Sequence, residues 1–327
     1  MINHPHHQLA AVTRYCAERG ISLDVREDGW LLVLGNATKR HLIFGYDLGL
    51  NSAVAHRIAC DKAATATLLT ASGVPAVPHA FFLGPAMRGV SEPEWASILE
   101  LLEAYPNGLV VKPNEGTSGR AVTRVHTAAE LKDALTLIFD TGASVAIAPL
   151  LEIADEVRVI LLDGVPLIVY RKQRPVVTGN GIHSMRELAL RAVPVQQQSQ
   201  LLRRLAAEFD ASTLHAIIPQ GEQRLLSWRH NLEFGAQPVL LRDGELRETC
   251  TALAQEAARV INIRYASVDV VLADGQWRVL EINSGVKMEA LGEHAPELVE
   301  TASFAALDAI FAPRVLGSAP GAPDISQ

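Results

Sequence analysis

Apolar and polar residues along the chain follow two periods, which predict a mixture of helices and strands. Apolar residues recur every three or four positions in eight segments, and we predict helices at residues 8–19, 52–72, 92–104, 127–139, 187–192, 196–209, 247–261 and 297–311. Short runs rich in Val, Ile and Leu predict strands at residues 23–26, 30–34, 42–44, 109–111, 121–125, 144–147, 156–162, 166–170 and 268–283. The order lacks a regular βαβ rhythm, so the pattern favours an α+β fold with antiparallel hairpins.

Composition narrows the class of protein. The chain has 327 residues, a formal net charge of −7 and three scattered cysteines, which we expect to pack as small apolar side chains in a reducing compartment. A negative net charge gives no general attraction to nucleic acid. The chain has no signal-peptide pattern at its start and no apolar run long enough to span a membrane. We therefore predict a cytoplasmic protein without nucleic-acid or membrane partners, and the sequence leaves a homodimer open.

The predicted hairpin at residues 268–283 places acids inside two apolar strands. Glu281 and Asn283 are two residues apart and therefore project from the same face. Asp269 shares that face if the connection has three residues, 273–275, but not if Asp-Gly at 274–275 forms a two-residue turn. Three such oxygen donors would suit Mg²⁺ that also holds nucleotide phosphates. The alternative is that one or both acids point to solvent at an exposed edge.

A glycine-rich segment lies between two predicted strands at residues 109–122. Gly116 and Gly119 allow close backbone approach, and the hydroxyls of Thr117 and Ser118 supply further donors for phosphate oxygens. Lys112 precedes the glycines and would add a positive charge. The segment lacks the G-x-x-x-x-G-K-[ST] pattern of a P-loop. A surface hairpin with an exposed lysine is the alternative.

Other polar residues fit the same chemistry. Arg158 alternates with apolar neighbours, Arg171 lies in a basic strand end, and Arg229 and Asn231 precede a glycine. Each of the three cations alone suits a solvated surface. Together with an acid-lined metal site they supply what a nucleoside triphosphate requires, namely cations, amide donors and oxygen ligands for magnesium.

Taken in order, these segments resemble the ATP-grasp superfamily, especially the ATP-grasp region of cyanophycin synthetases and bifunctional glutathione synthetases. The resemblance runs from about residue 42 to 290, which is most of the chain. The matching segments are the glycine-rich loop and the stretches 51–62, 73–75, 110–113, 156–158, 177–181, 229–235 and 280–285. The resemblance implies a three-lobed α+β fold with ATP held between two antiparallel α+β lobes. It implies lobes at 1–60, 61–145 and 146–312, and the Gly, Ser, Pro and Ala content of 313–327 predicts a disordered tail.

The resemblance also implies roles for individual residues, with ATP and Mg²⁺, or alternatively Mn²⁺, as cofactors. Nucleotide contacts are expected from Lys62, Lys112, Glu115, Gly116, Thr117, Ser118, Gly119, Leu150, Leu151 and Glu152. Metal ligands are expected at Asp269, Glu281 and Asn283, and contacts to the transferred phosphate and the substrate at Arg158, Arg171, Arg229 and Asn231. Ser284, Gly285 and Lys287 follow the metal ligands and are expected to line the acceptor pocket, although a surface position suits Lys287 equally.

One segment departs from the family pattern. An acid usually meets the adenine amino group at the hinge, but residues 147–152 here read Ile-Ala-Pro-Leu-Leu-Glu. Adenine contact would then depend on other backbone groups or on a displaced Glu152. The expected activity is that of an ATP-dependent carboxylate–amine ligase acting on amino-acid or peptide substrates through an acyl phosphate. A small-molecule kinase and a non-catalytic nucleotide-binding module are the alternatives.

Overall fold

The computed structural model describes residues 6–84, 94–116 and 121–311. Its helices are α1 His6–Arg19, α2 Ala53–Cys60, α3 Lys62–Ala71, α4 Glu94–Ala104, α5 Ala128–Phe139, α6 Met185–Arg191, α7 Val195–Glu208, α8 Ala211–His215, α9 Glu245–Val260, α10 Glu289–Gly292 and α11 Pro296–Phe311. Its strands are β1 Ser22–Arg26, β2 Leu31–Gly35, β3 Arg40–Phe44, β4 Ala80–Phe82, β5 Leu109–Pro113, β6 Thr123–Val125, β7 Val145–Pro149, β8 Ile153–Leu162, β9 Val165–Gln173, β10 Val176–Thr178, β11 Gln223–Leu225, β12 Gln237–Leu240, β13 Tyr265–Ala273 and β14 Gln276–Asn283.

The strands form antiparallel sheets, which confirms the predicted α+β class. A three-stranded sheet has the order β1-β2-β3, and a four-stranded sheet has the order β4-β7-β5-β6. A five-stranded sheet has the order β12-β9-β8-β13-β14, and β10 pairs with β11. The predicted tail at 313–327 lies outside the described residues, and the predicted lobe boundaries stay predictions.

The predicted helix 52–72 is two helices, because Asp61 interrupts it. The Asp61 backbone is extended, with φ −95° and ψ 107°, and its carboxylate accepts a hydrogen bond from the Ala64 amide at 2.8 Å. An aspartate that caps a new helix competes with continuation of the old one. The break makes Lys62 the first residue of α3.

One face of the five-stranded sheet is apolar and packs against α9. Val157, Val159, Val268 and Val270 are buried on this face, where they share a core with Ala254 of the helix. Because side chains alternate along each strand, the intervening residues lie on the opposite face.

That opposite face has three zones. At one end Ile160, Tyr170 and Tyr265 belong to the core that includes α1, α11 and the three-stranded sheet. At the other end Val271 packs with Val77 and Ala148, next to the four-stranded sheet. Charged residues occupy the zone between, so the fold places them where the two apolar contacts leave space for a site.

No helix within the described ranges combines the length and the apolar character that crossing a membrane requires.

Candidate active site

Asp269 and Glu281 lie directly opposite each other on β13 and β14. The connection is a two-residue turn of Asp274 and Gly275, with φ of 52° and 71°, as in the tight primed turns of hairpins. A β-bulge next to Asp269 leaves Leu280 without a partner and shifts the register by one residue. The two acids and Asn283 therefore share a face through this bulge, and the three-residue loop that we predicted for that purpose was wrong.

The Asp269 carboxylate is buried and bound by two cations. Arg158, opposite it on β8, donates from Nε to Oδ1 at 2.7 Å and from Nη2 to Oδ2 at 2.6 Å. The Lys172 ammonium lies 2.9 Å from Oδ2. Burial raises the pKa of Asp269, but the charges of Arg158 and Lys172 outweigh burial and hold this pKa below its usual value. The site therefore keeps an ionised carboxylate inside the protein.

Lys172 also pairs with Glu156, and both side chains are buried. Burial and Arg158 lower the pKa of Lys172, but the carboxylates of Asp269 and Glu156 outweigh them and raise it. Burial raises the pKa of Glu156, against the opposing charge of Lys172. Neither residue was predicted to belong to the site, although Glu156 lies two residues from Arg158 in the same strand and so shares its face.

Arg171 does not join this cluster. The turn at Asp163 and Gly164 would pair Arg158 with Val169, but a bulge beyond Ile160 makes Tyr170 its partner. The shift turns Arg171 to the face of the sheet that packs on α9, where its Nε donates to the Asp155 carboxylate at 2.7 Å. Lys172 consequently occupies the face on which we expected Arg171.

Lys112 lies nearby as a desolvated cation. Its side chain is buried, and among the described residues no hydrogen bond or ion pair to its ammonium group is found. Burial lowers the pKa of Lys112 to about 8, with the charge of Glu281 acting in the opposite direction and Lys62 adding to the decrease. An unpaired buried ammonium is costly by itself and is suited to receiving an anion.

Lys62 fixes the start of the glycine-rich segment. Its ammonium donates to the carbonyls of Asn114 at 3.2 Å and Gly116 at 3.0 Å. The half-exposed Glu115 side chain accepts a hydrogen bond from Arg57 at 3.3 Å. The predicted phosphate donors Thr117, Ser118 and Gly119 lie outside the described residues.

The hinge offers an apolar surface beside Lys112. The Leu150 amide donates to the Gly108 carbonyl at 2.9 Å, Leu151 packs against the Val77 cluster, and Glu152 is exposed. His79 lies on the Lys112 side of the four-stranded sheet, because its neighbour Ala80 faces the other way.

His79 supplies a polar atom that the sequence analysis missed. Its Nδ1 lies 2.9 Å from the Val77 carbonyl, so Nδ1 carries the proton and Nε2 is an acceptor. This Nε2 is buried and has no hydrogen-bond partner among the residues that the structure describes. Burial lowers the pKa of His79 to about 3, with the charge of Lys112 adding to the decrease. No sequence pattern distinguishes such a histidine from a surface one.

The hydrogen bonds of Arg229 and Asn231 go to residues outside the Asp269 cluster. Arg229 donates to the Glu208 carboxylate at 2.6 Å and to the Val122 carbonyl at 3.2 Å. The side-chain oxygen of Asn231 caps the short helical turn Leu232–Phe234 by accepting from the Glu233 amide at 2.9 Å. Both residues therefore order the segment that joins β11 to β12, and a contact with the transferred phosphate stays a prediction.

The segment beyond Asn283 packs against the turn that follows β3. Lys287 pairs with the Glu233 carboxylate, and its ammonium lies 5.8 Å from the centre of the Tyr46 ring. Gly285 faces the Tyr46 side chain, and the buried Ser284 hydroxyl lies 3.0 Å from Nδ1 of His56. Lys287 is thus neither fully exposed nor unpaired.

The residues present fit a divalent cation shared with phosphate. Glu281 Oε1 accepts a hydrogen bond from the side-chain nitrogen of Asn283 at 3.1 Å. The side-chain oxygen of Asn283 takes no part in this bond. In the part of the chain that the structure describes, no group of three or more His, Cys, Asp or Glu side chains is placed to hold a metal. Two carboxylates and one amide oxygen supply only some of the oxygen ligands that Mg²⁺ requires. Nucleotide phosphates would provide the remaining ligands.

The chain is similar to known proteins in sequence and in fold. No family model matches the chain. The chain is 26% identical over 284 residues to the cyanophycin synthetase of Nostoc sp. (strain PCC 7120), an alignment that covers 81% of this chain and 30% of that protein. The cyanophycin synthetase of Geminocystis herdmanii is 26% identical over 253 residues, which is 71% of this chain and 27% of that protein. The chain thus spans less than a third of the length of these relatives.

A solved structure shows the same fold. The bifunctional glutathione synthetase from Pasteurella multocida superposes with a TM-score of 0.54 at 16% sequence identity, covering 93% of this chain and 44% of that one. At this identity the likeness concerns the fold alone. The arrangement of antiparallel sheets is therefore that of an ATP-grasp fold.

Proposed function

We propose that the chain is an ATP-dependent carboxylate–amine ligase of the ATP-grasp superfamily. The observation that supports this most is the row of Arg158, Asp269 and Glu281 across three neighbouring strands, with the unpaired ammonium of Lys112 close to Glu281. Such a row combines a prearranged acid pair for a metal with a cation for phosphate.

The reaction would proceed in two displacements. A carboxylate oxygen of the first substrate attacks the γ-phosphorus of ATP, the bond to ADP breaks, and an acyl phosphate forms. The amine of the second substrate then attacks the acyl carbon, loses a proton and expels inorganic phosphate, which leaves an amide. Neither step uses a protein nucleophile, so rate enhancement would come from positioning and from charge neutralisation.

The chain's own residues have separate tasks in this scheme. Lys112 binds a phosphate oxygen, and Lys62 holds the glycine-rich segment against it through the carbonyls of Asn114 and Gly116. Arg158 and Lys172 keep Asp269 ionised and fixed. Mg²⁺, when held by Asp269, Glu281 and Asn283, would reduce the negative charge of the phosphates. We infer amino-acid or peptide substrates because Lys287 and Glu233 offer one charge of each sign at the acceptor segment.

The test is phosphate release from ATP with pairs of amino acids, combined with mass spectrometry of the products. A product whose mass equals the two substrates minus water supports the ligase. A stable phosphorylated product would identify a kinase instead, and the absence of any turnover would favour a nucleotide-binding module. Glu281→Gln should abolish phosphate release, whereas Glu293→Gln, which changes an exposed glutamate, should not alter it.

A further inference from the structure

A second polar cluster lies beside the acceptor segment and has no role in the scheme above. It contains Asp47, His56, Cys60 and Ser284. His56 and Cys60 are four residues apart in α2 and so lie on one face of that helix. Nε2 of His56 is 3.7 Å from the Cys60 sulfur, which is within the range of a weak S–H hydrogen bond. The thiol thus has a base at contact distance.

The other ring nitrogen of His56 fixes the form of that base. Nδ1 lies 3.3 Å from the Asp47 carboxylate and 3.0 Å from the Ser284 hydroxyl. Because a carboxylate only accepts hydrogen bonds, we assign the proton to Nδ1, beside Asp47, which leaves the Nε2 lone pair facing Cys60. Asp47 is itself held, because its other oxygen accepts from the Gly49 amide at 2.8 Å. Thiol, base and orienting acid therefore stand in the order that an activated nucleophile requires.

The other two cysteines lack these features. Cys16 and Cys250 are 3% and 0% exposed and pack in apolar cores, as the sequence analysis predicted. Burial raises the pKa of both thiols, that of Cys250 to about 12. Cys60 instead is partly exposed. Its sulfur lies 3.7 Å from Nε2 of His56 and 3.8 Å from the Ser284 hydroxyl. The chain thus carries one reachable thiol and two internal controls.

We propose that Cys60 is a peroxide-reactive thiol, with His56 as its base and Asp47 as the group that orients the base. His56 takes the thiol proton, and the sulfur attacks one oxygen of hydrogen peroxide. The S–O bond forms as the O–O bond breaks, and the departing hydroxide takes the proton from His56. Cysteine is oxidised to sulfenic acid while peroxide is reduced to water.

Oxidation of Cys60 also disturbs the proposed ligase site, and this part of the inference rests on the proposed function. The Cys60 sulfur contacts both His56 and Ser284, so an added oxygen would crowd these two side chains, and Ser284 directly follows the proposed metal ligand Asn283. We expect the oxidised protein to lose amide formation because the acceptor segment can no longer pack against α2.

The first test follows oxidation itself and needs neither ATP nor turnover. The protein is treated with hydrogen peroxide at pH 7, sulfenic acid is trapped with dimedone, and labelled peptides are quantified by mass spectrometry. We expect labelling of Cys60 without labelling of Cys16 or Cys250, and a decrease of about tenfold or more in His56→Gln. His215→Gln, which changes an exposed histidine on α8, is the matched control. A Cys60 rate equal to that of free cysteine, or unchanged in His56→Gln, would overturn the proposal.

The second test addresses the ligase site. Peroxide should abolish substrate-dependent phosphate release by the wild type and leave Cys60→Ser active. Full activity in protein whose Cys60 is oxidised would refute the coupling to the acceptor segment. If no substrate pair supports turnover at all, the proposed function fails while the labelling result still decides the reactivity of Cys60.

Discussion

Replacing Lys112 with methionine should make the protein more stable and remove its nucleotide binding. Lys112 is buried, and no ion pair to it is found among the described residues. Methionine has a similar length and no charge, so it removes the cost of burying an ammonium group. The same change removes the cation that we propose for phosphate.

The magnitude follows from the pKa of Lys112, which burial lowers from 10.5 to about 8. A decrease of that size corresponds to about 3 kcal/mol against folding when the lysine is protonated. This lowered pKa already includes the attraction of Lys112 to Glu281, so we expect Lys112→Met to gain up to about 3 kcal/mol in the free energy of unfolding at pH 7. Because the folded pKa lies below the unfolded one, the cost is present in full below pH 8. It disappears as the pH rises from 8 to 10.5, so the advantage of the variant should disappear over that interval.

Urea unfolding at pH 7 and at pH 10 measures the first effect, and calorimetry with ATP and magnesium measures the second. The matched control is Lys132→Met, which changes an exposed lysine on α5 and should alter neither quantity. Lower stability of Lys112→Met at pH 7, or ATP affinity equal to that of the wild type, would refute the interpretation of Lys112 as a desolvated phosphate contact.

Three further changes test the packing of the site by urea unfolding. Arg158→Met leaves Asp269 buried with one cation fewer and should lower the free energy of unfolding by about 3 kcal/mol. Arg26→Met, which breaks an exposed pair with Asp24, should cause no measurable loss. Equal losses in the two variants would contradict the buried pairing. Lys172→Met should destabilise the protein at neutral pH, because it leaves the buried Glu156 carboxylate without its cation. The loss should be smaller at acidic pH, because the raised pKa of Glu156 allows this carboxyl group to be protonated. Arg171→Met, which changes a half-exposed side chain, should have little effect. Asp61→Ala should cost about 1 kcal/mol while Asp61→Asn keeps the cap between α2 and α3; an equal loss in both variants would argue against capping.

A site residue could be predicted from the sequence only where its position follows from a local pattern. Alternation within one strand placed Glu281 and Asn283 on one face from sequence alone. Alternation across a hairpin did not predict which residues of the two strands share a face, because Leu280 and Leu167 are unpaired bulge residues. Nothing in either side chain identifies it as a bulge residue. The second bulge exchanged the expected Arg171 for Lys172. Register errors of one residue therefore decide which cation reaches the site.

Contacts between segments that are distant in the chain could also not be predicted from the sequence. His56 meets Ser284 across 228 positions, and Lys287 meets Glu233 across 54. Local patterns contain no information on such pairs, whereas they gave most helices and the antiparallel class. The break at Asp61 is intermediate, because a capping residue inside an apolar repeat is visible but competes with a continuous helix.

The most direct test of the acid pair uses Mn²⁺ in place of Mg²⁺. Electron paramagnetic resonance can measure free Mn²⁺ during titration of the protein with a non-hydrolysable ATP analogue. We predict that the wild type removes the free Mn²⁺ signal only when the analogue is present, and that Glu281→Gln fails to do so at the same concentrations. Equal Mn²⁺ binding by Glu281→Gln and the wild type would contradict the claim that the bulged hairpin holds the metal of a nucleotide.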